Sequence, residues 1–255
     1  MTPKAAEWLG RLVGGQRAEP MASPRRRHPA PELPEAQLRM AWQLTSLLLG
    51  YPDERLRELL PAIGEAAMRL PDAVGVPLLH LTQHLADADA AKECTAYVDT
   101  FDTTRKCALH LTYYAHGDTR KRGIALVQFK QAYRRAGLEI SEDELPDHLS
   151  VVLEFGATGS LDVAWKLLND HRTGIELLQL GLDAKNSPWA DAVTALRATL
   201  PPLDGTQAEA VARLLAEGPP NEEVGLDGYA LDPRLNPHPA DDDLDLSLDL
   251  TGAPR

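Results

Sequence analysis

Cysteine is scarce in this chain of 255 residues: Cys94 and Cys107 are the only two, thirteen positions apart. That spacing forms no CxxC element and no disulfide framework, which fits a reducing compartment. Aromatic residues are 5% of the chain, too few for a Tyr- and Trp-rich β-sandwich. No apolar run reaches the roughly 18 residues needed to span a membrane as a helix. There is no P-loop, no GxGxxG element and no nucleophile elbow. Positive charge is also short. Against 38 acidic side chains stand 26 basic ones, for a net charge of −12 and a pI near 5.1. That balance excludes a general nucleic-acid or anionic-membrane binder and leaves room for a basic partner.

What is present divides into three zones. Residues 1–34 hold six basic and three acidic groups, a net of +3, and six prolines. Residues 219–255 hold nine acidic and two basic groups, a net of −7, and six more prolines. Neither end offers enough apolar side chains to offset chain entropy, so both read as disordered tails. Arg25-Arg26-Arg27 resembles a twin-arginine export motif, but His28-Pro29-Ala30-Pro31-Glu32 follows instead of an apolar region. The triplet reads as a basic patch in the arm, and no export is expected. Leu244, Leu246, Leu248 and Leu250 alternate with polar residues as a strand would, and this too is read as part of the acidic tail. Residues 35–218 form the single domain.

Within 35–218, apolar residues recur at three and four. Leu38, Ala41, Trp42, Thr45 and Leu48 line a first helix, stopped by Gly50-Tyr51-Pro52. Asp53 caps a second, with Leu56, Leu59, Leu60 and Ile63, which Pro61 splits or kinks. Leu78, Leu81 and Leu85 mark a third. Ala91, Cys94, Val98 and Phe101 mark a fourth. Asp118 caps a fifth, with Leu126, Phe129, Tyr133 and Ala136 inside and Gly137 as its stop. Ser141 and Glu144 have capping-box spacing. Ser160 opens one long helix. Ser187 caps another, with Pro188 at its first position. Thr206 and Glu209 form a second capping box, and Gly218 closes the last helix. These signals predict eight or nine helices, no hairpin, and an all-α bundle.

Candidate chemistry is thin. His80 and His84 share a helix face, but Leu81 stands where a zincin has Glu, and no third ligand follows. Glu144 and His148 are also four apart, with Pro146 between them. A metal- or cofactor-binding helical protein using His80, His84 and His148 is the alternative reading. The densest region is 97–155, which contains four of the six tyrosines and all three phenylalanines. Aromatics beside fixed charges make binding anchors. Phe129 and Tyr133 read as core. For Tyr97, Asp99, Phe101 and Asp102, core and binding surface are equally open.

The run from Tyr97-Val98-Asp99-Thr100-Phe101-Asp102, through Leu111-Thr112-Tyr113-Tyr114 and Gly117-Asp118-Thr119-Arg120-Lys121-Arg122, to Glu144-Leu145-Pro146-Asp147-His148 and Leu153-Glu154-Phe155 resembles the NarJ family. These are delta-subunit assembly chaperones of respiratory nitrate reductase, grouped with the TorD and DmsD chaperones of molybdoenzymes. The resemblance implies an all-helical, non-catalytic, cytoplasmic protein without a cofactor or metal of its own. It implies binding of the apo catalytic (alpha) subunit, including its N-terminal twin-arginine-like segment, in support of molybdenum cofactor insertion, with cofactor delivery proteins as further partners. A chaperone of the same fold for another molybdoenzyme is the near alternative. The family's aromatic-x-x-Leu-Phe element maps onto Tyr97 to Phe101, with Thr100 in the Leu place. Its Glu-x-Pro-x-Asp/Asn-His element maps onto Glu144, Pro146, Asp147 and His148 in compact form. His110 stands where Tyr is expected. The client-binding set is then Tyr97, Asp99, Phe101, Asp102, Tyr113, Tyr114, Asp118, Arg120, Arg122, Glu144, Pro146, Asp147, His148 and Glu154. The carboxylates would meet arginines of the client. His148, titrating near neutrality, would repel a basic peptide as pH falls from about 8 to 6 and so release it. Arg120, Lys121 and Arg122 at a helix start are poorly placed against the dipole, which suggests contact with an acidic patch or with cofactor phosphates.

Overall fold

The first helix buries the stripe that its spacing announces: Leu38, Ala41, Trp42, Thr45 and Leu48 are all inside. The structure is a computed structural model and describes residues 28–140 and 144–217. Among these residues there are eleven helices. They are α1 (Glu35–Leu48), α2 (Glu54–Ala67), α3 (Asp72–Asp87), α4 (Ala90–Phe101), α5 (Tyr113–His116), α6 (Arg120–Arg135), α7 (Leu149–Thr158), α8 (Leu161–Asp170), α9 (Arg172–Ala184), α10 (Ala190–Thr199) and α11 (Gly205–Glu217), with a 3-10 turn at Arg105–Cys107. No strand occurs among them, only an isolated antiparallel bridge between His110 and His148. The all-α expectation is met.

α1 lies at the centre, packed against α7, α10, α2 and α3, with α10 on α3 and α7 on α8. The largest fully buried side chains are Trp42, Trp189, Tyr133, Phe129 and Phe155. Each such ring removes a large apolar area from water, at roughly 25 cal/mol per Å². α1 and α7 approach closely because position 156 is glycine: a Cβ there would lie 2.4 Å from the Trp42 ring.

Several local signals behave as expected. Asp53 accepts a bond from the Leu56 N–H at 2.9 Å and starts α2. Gly137 takes φ +82° just after α6, a conformation that costs glycine little. Others are displaced. α2 continues without a split through Pro61. The long helix expected from Ser160 is two, because the backbone turns at His171, whose ring Nδ1 lies 2.9 Å from the Leu167 carbonyl oxygen. α5 is a single turn, too short to leave a period in the sequence. Thr119, not Asp118, precedes α6. α7 begins at Leu149, after the bridge, rather than at a capping box; Glu144 lies outside any helix, and Ser141 lies outside the described residues. α10 begins at Ala190, after a turn over Pro188 and Trp189. The capping box of α11 is Asp204 with Gln207: the Gln207 N–H donates to the Asp204 carboxylate at 2.7 Å, and the Asp204 N–H to the Gln207 side chain at 3.1 Å. That is two residues before the Thr206–Glu209 pair. In α4 the inner face is Glu93, Tyr97, Thr100 and Phe101, while Val98 is exposed. Leu59 is exposed as well.

Residues 28–34 do not hang free. The His28 ring contacts Asp170 at 2.9 Å, and the Trp165 indole donates to the Pro29 carbonyl at 3.0 Å. Residues 1–27 and 218–255 lie outside the described residues, and with them Arg25-Arg26-Arg27, Gly218, the leucine alternation and most of both tails. Among the described residues no helix is long and apolar enough to cross a membrane.

Candidate functional site

Asp147 stands at the meeting point of three segments, and it is fully buried. The bridge brings residues 109–111 alongside 147–149: the Leu111 N–H donates to the Asp147 carbonyl at 3.0 Å and the Leu149 N–H to the Leu109 carbonyl at 2.7 Å. Pro146 supplies no donor of its own, and its carbonyl accepts the Tyr133 hydroxyl at 2.8 Å, tying α6 to the same turn. The Asp147 carboxylate accepts from the Thr112 hydroxyl at 2.5 Å and from the Thr112 N–H at 3.2 Å. His110 Nδ1 lies 3.4 Å from the other oxygen, Oδ1, and Arg122 Nη2 lies 3.9 Å from Oδ2, the oxygen that Thr112 bonds. Arg122 also donates to Asp118 at 3.2 Å and sits 5.9 Å from the Tyr113 ring centroid. One guanidinium thus joins an exposed carboxylate to a buried one. Asp118 pairs with this first-turn cation rather than capping α6, which answers the unfavourable placement of Arg122 against the dipole.

The electrostatics follow from this geometry. Burial by itself would raise the Asp147 carboxyl. The adjacent His110, the Thr112 bonds and the Arg122 charge outweigh that and bring it below the ordinary carboxylate range. His148 stacks edge-on against His110 with ring centroids 5.3 Å apart. Burial, reinforced by His110, holds it down to about 4. It is therefore neutral from pH 8 to 6, and the expectation that its protonation releases a client in that range is overturned. Glu154, half-buried, is raised by burial and then by the Glu144 charge.

The α4 group is built differently. Tyr97 and Phe101 are each 8% exposed and pack on one another and edge-on to Trp189. The Tyr97 hydroxyl donates to the Leu49 carbonyl at 2.9 Å, and burial raises its pKa. Tyr113 and Tyr114 are buried too, with the Tyr114 hydroxyl between the Lys106 and Ala108 carbonyls. These four aromatics are core, not the open wall that binding anchors would need. Asp99 and Asp102 face water. The predicted residues therefore separate into the Asp147 node, with Arg122, Pro146 and His148, and a surface set of Asp99, Asp102, Asp118 and Arg120, with Glu144 and Glu154 half-buried. Sequence reasoning missed Thr112, His110 and Tyr133 as members of the node. His110 was visible only as a departure from the family run.

The histidines proposed for the metal reading do not converge. His84 contacts Glu93 at 3.2 Å, and it shares an open groove with His80, Gln83, Asp87 and Ala88. Among the described residues no three His, Cys, Asp or Glu side chains are arranged to hold a metal.

Residues 67–195 match a family described as nitrate reductase delta subunit. The chain is 37% identical over 184 residues to the nitrate reductase-like protein NarX of Mycobacterium tuberculosis, covering 69% of this chain and 27% of that protein. It is 31% identical over 156 residues to the probable nitrate reductase molybdenum cofactor assembly chaperone NarJ of Bacillus subtilis, covering 61% of this chain and 85% of that one. With the nitrate reductase molybdenum cofactor assembly chaperone NarJ of Escherichia coli the identity is 32% over 151 residues, 58% of this chain and 64% of the other. The chain thus spans only about a quarter of the mycobacterial relative's length.

Proposed function

The chain belongs to the nitrate reductase delta subunit family, and from that premise we propose that it is a non-catalytic assembly chaperone for a nitrate reductase. On this reading it acts in the cytoplasm, binds the apo catalytic subunit including its N-terminal segment, and supports molybdenum cofactor insertion without a cofactor of its own. The roles named for the Bacillus and Escherichia relatives support the client class. The single observation that carries a binding role is the sorting of carboxylates. Asp147 is consumed internally in clasping the 109–112 segment, α6 and the start of α7, whereas Asp99 and Asp102 at the end of α4 and Asp118 in the turn before α6 remain exposed. Fixed exposed carboxylates orient a basic segment and speed its encounter more than they add affinity.

The test is co-purification with the catalytic subunit, with and without its N-terminal segment, followed by calorimetry on the segment as a peptide. Converting Asp99, Asp102, Asp118, Glu144 and Glu154 to their amides is expected to weaken peptide binding by about tenfold, with a steep salt dependence in the parent protein. Equal retention of the truncated subunit would remove the N-terminal segment from the proposal. Preferential retention of another molybdoenzyme's subunit would reassign the client.

A further inference from the structure

The outward side of α6 presents a second surface made of different chemistry. α6 carries six basic residues and no acidic one in a chain of net charge −12. Ala125, Phe129 and Tyr133 turn inward. Helical spacing then brings Arg120, Ile124, Val127, Gln131, Arg134 and Arg135 onto the opposite face. Ile124 is 64% and Val127 53% exposed. Lys121, Arg134 and Arg135 are exposed and make no ion pair among the described residues. At Gly123, beside this stripe, a Cβ would meet nothing within 4 Å among the described residues beyond its own stretch of helix backbone. Glycine weakens a helix relative to alanine, and packing among the described residues supplies no reason for it there. Close approach of another backbone supplies one.

We propose that this face of α6 docks an acidic segment of a partner protein, one whose apolar side chains seat on Ile124 and Val127. The basic groups toward both ends set register and orientation, and the aliphatic centre provides the desolvated contact. An anionic membrane fits less well. Two aliphatic side chains give little area to insert, and the chain's own negative charge opposes approach to such a surface. The stripe uses none of the carboxylates assigned to the client's basic segment, so it stands or falls independently of that assignment.

The experiment is an anisotropy titration of the full chain with a labelled Glu-rich amphipathic helical peptide bearing paired leucines, and with its Lys-for-Glu counterpart. The acidic peptide is expected to bind, more weakly as salt rises, and the basic one is not. Ile124→Ser with Val127→Ser, and separately Arg134→Gln with Arg135→Gln, are each expected to raise Kd by about tenfold, while circular dichroism confirms that both folds are retained. Equal binding of the two peptides, or affinity unchanged in both variants, would overturn the proposal. So would flotation of the parent chain with phosphatidylglycerol vesicles that either pair of substitutions abolishes, which would assign the face to membranes. Self-association lost in the same variants would assign it instead to a second copy of the chain.

Discussion

The stretches 97–102 and 144–148 contain similar residue types, yet the fold sorts them in opposite ways. In α4 the rings of Tyr97 and Phe101 go into the core, and Asp99 and Asp102 face water. In the turn before α7 the acid goes in: Asp147 is fully buried while Leu145 is 44% exposed. The difference lies in the supply of donors. Asp147 meets a hydroxyl and an N–H from Thr112 and a nearby guanidinium from Arg122. A buried carboxylate is tolerable only when such partners take over from water. Among the described residues no comparable set surrounds Asp99 and Asp102, so in this stretch the ordinary partition of apolar inside and charged outside holds.

The comparison breaks most sharply at Asp147. Asp147→Ala leaves the Thr112 hydroxyl and N–H without their acceptor, removes the buried carboxylate facing Arg122 and is expected to cost about 3–5 kcal/mol of unfolding free energy in urea titrations. Asp99→Ala and Asp102→Ala are each expected to stay within about 0.5 kcal/mol. A loss below about 1 kcal/mol at Asp147 would make the two stretches equivalent. Acid sharpens the same contrast. His148 is held at about 4 when folded, against 6.5 ordinarily, so its contribution is complete above pH 6.5 and lost as pH falls from there toward 4. The loss amounts to about 3 kcal/mol at most. Asp147, also lowered, adds to the acid sensitivity below the ordinary carboxylate range. His148→Gln is expected to flatten the fall of Tm between pH 6.5 and 4, and an unchanged slope would place the proton elsewhere. A smaller loss tests the buried side of α4: Tyr97→Phe removes the bond to the Leu49 carbonyl but keeps the ring packing, for a loss of about 1 kcal/mol.

Much of the frame was legible beforehand. The α1 stripe, the Asp53 cap and the Gly137 stop are local matters of spacing, a side-chain acceptor and a positive φ, and each appears where the residues imply. Signals two residues long fared less well. Asp204-x-x-Gln207 outcompeted Thr206-x-x-Glu209 because both patterns satisfy the same rule and only one coincides with the chain's turn out of α10. The site was legible as a list of positions but not as an arrangement. Tyr97, Tyr113 and Tyr114 are equally plausible as anchors or as core until the neighbours that cover them are known.

Residue order alone therefore determined the helical class, the inward stripe of α1 and the positions of the two motifs, because periodicity and caps act within a few residues of one another. Tertiary structure decided which motif residues face outward and how the buried ones titrate. Thr112 and Asp147 are 35 positions apart, and the environment that lowers His148 comes from burial and from His110 on another segment. Desolvation and its compensation depend on which groups meet in space, and no local pattern carries that information.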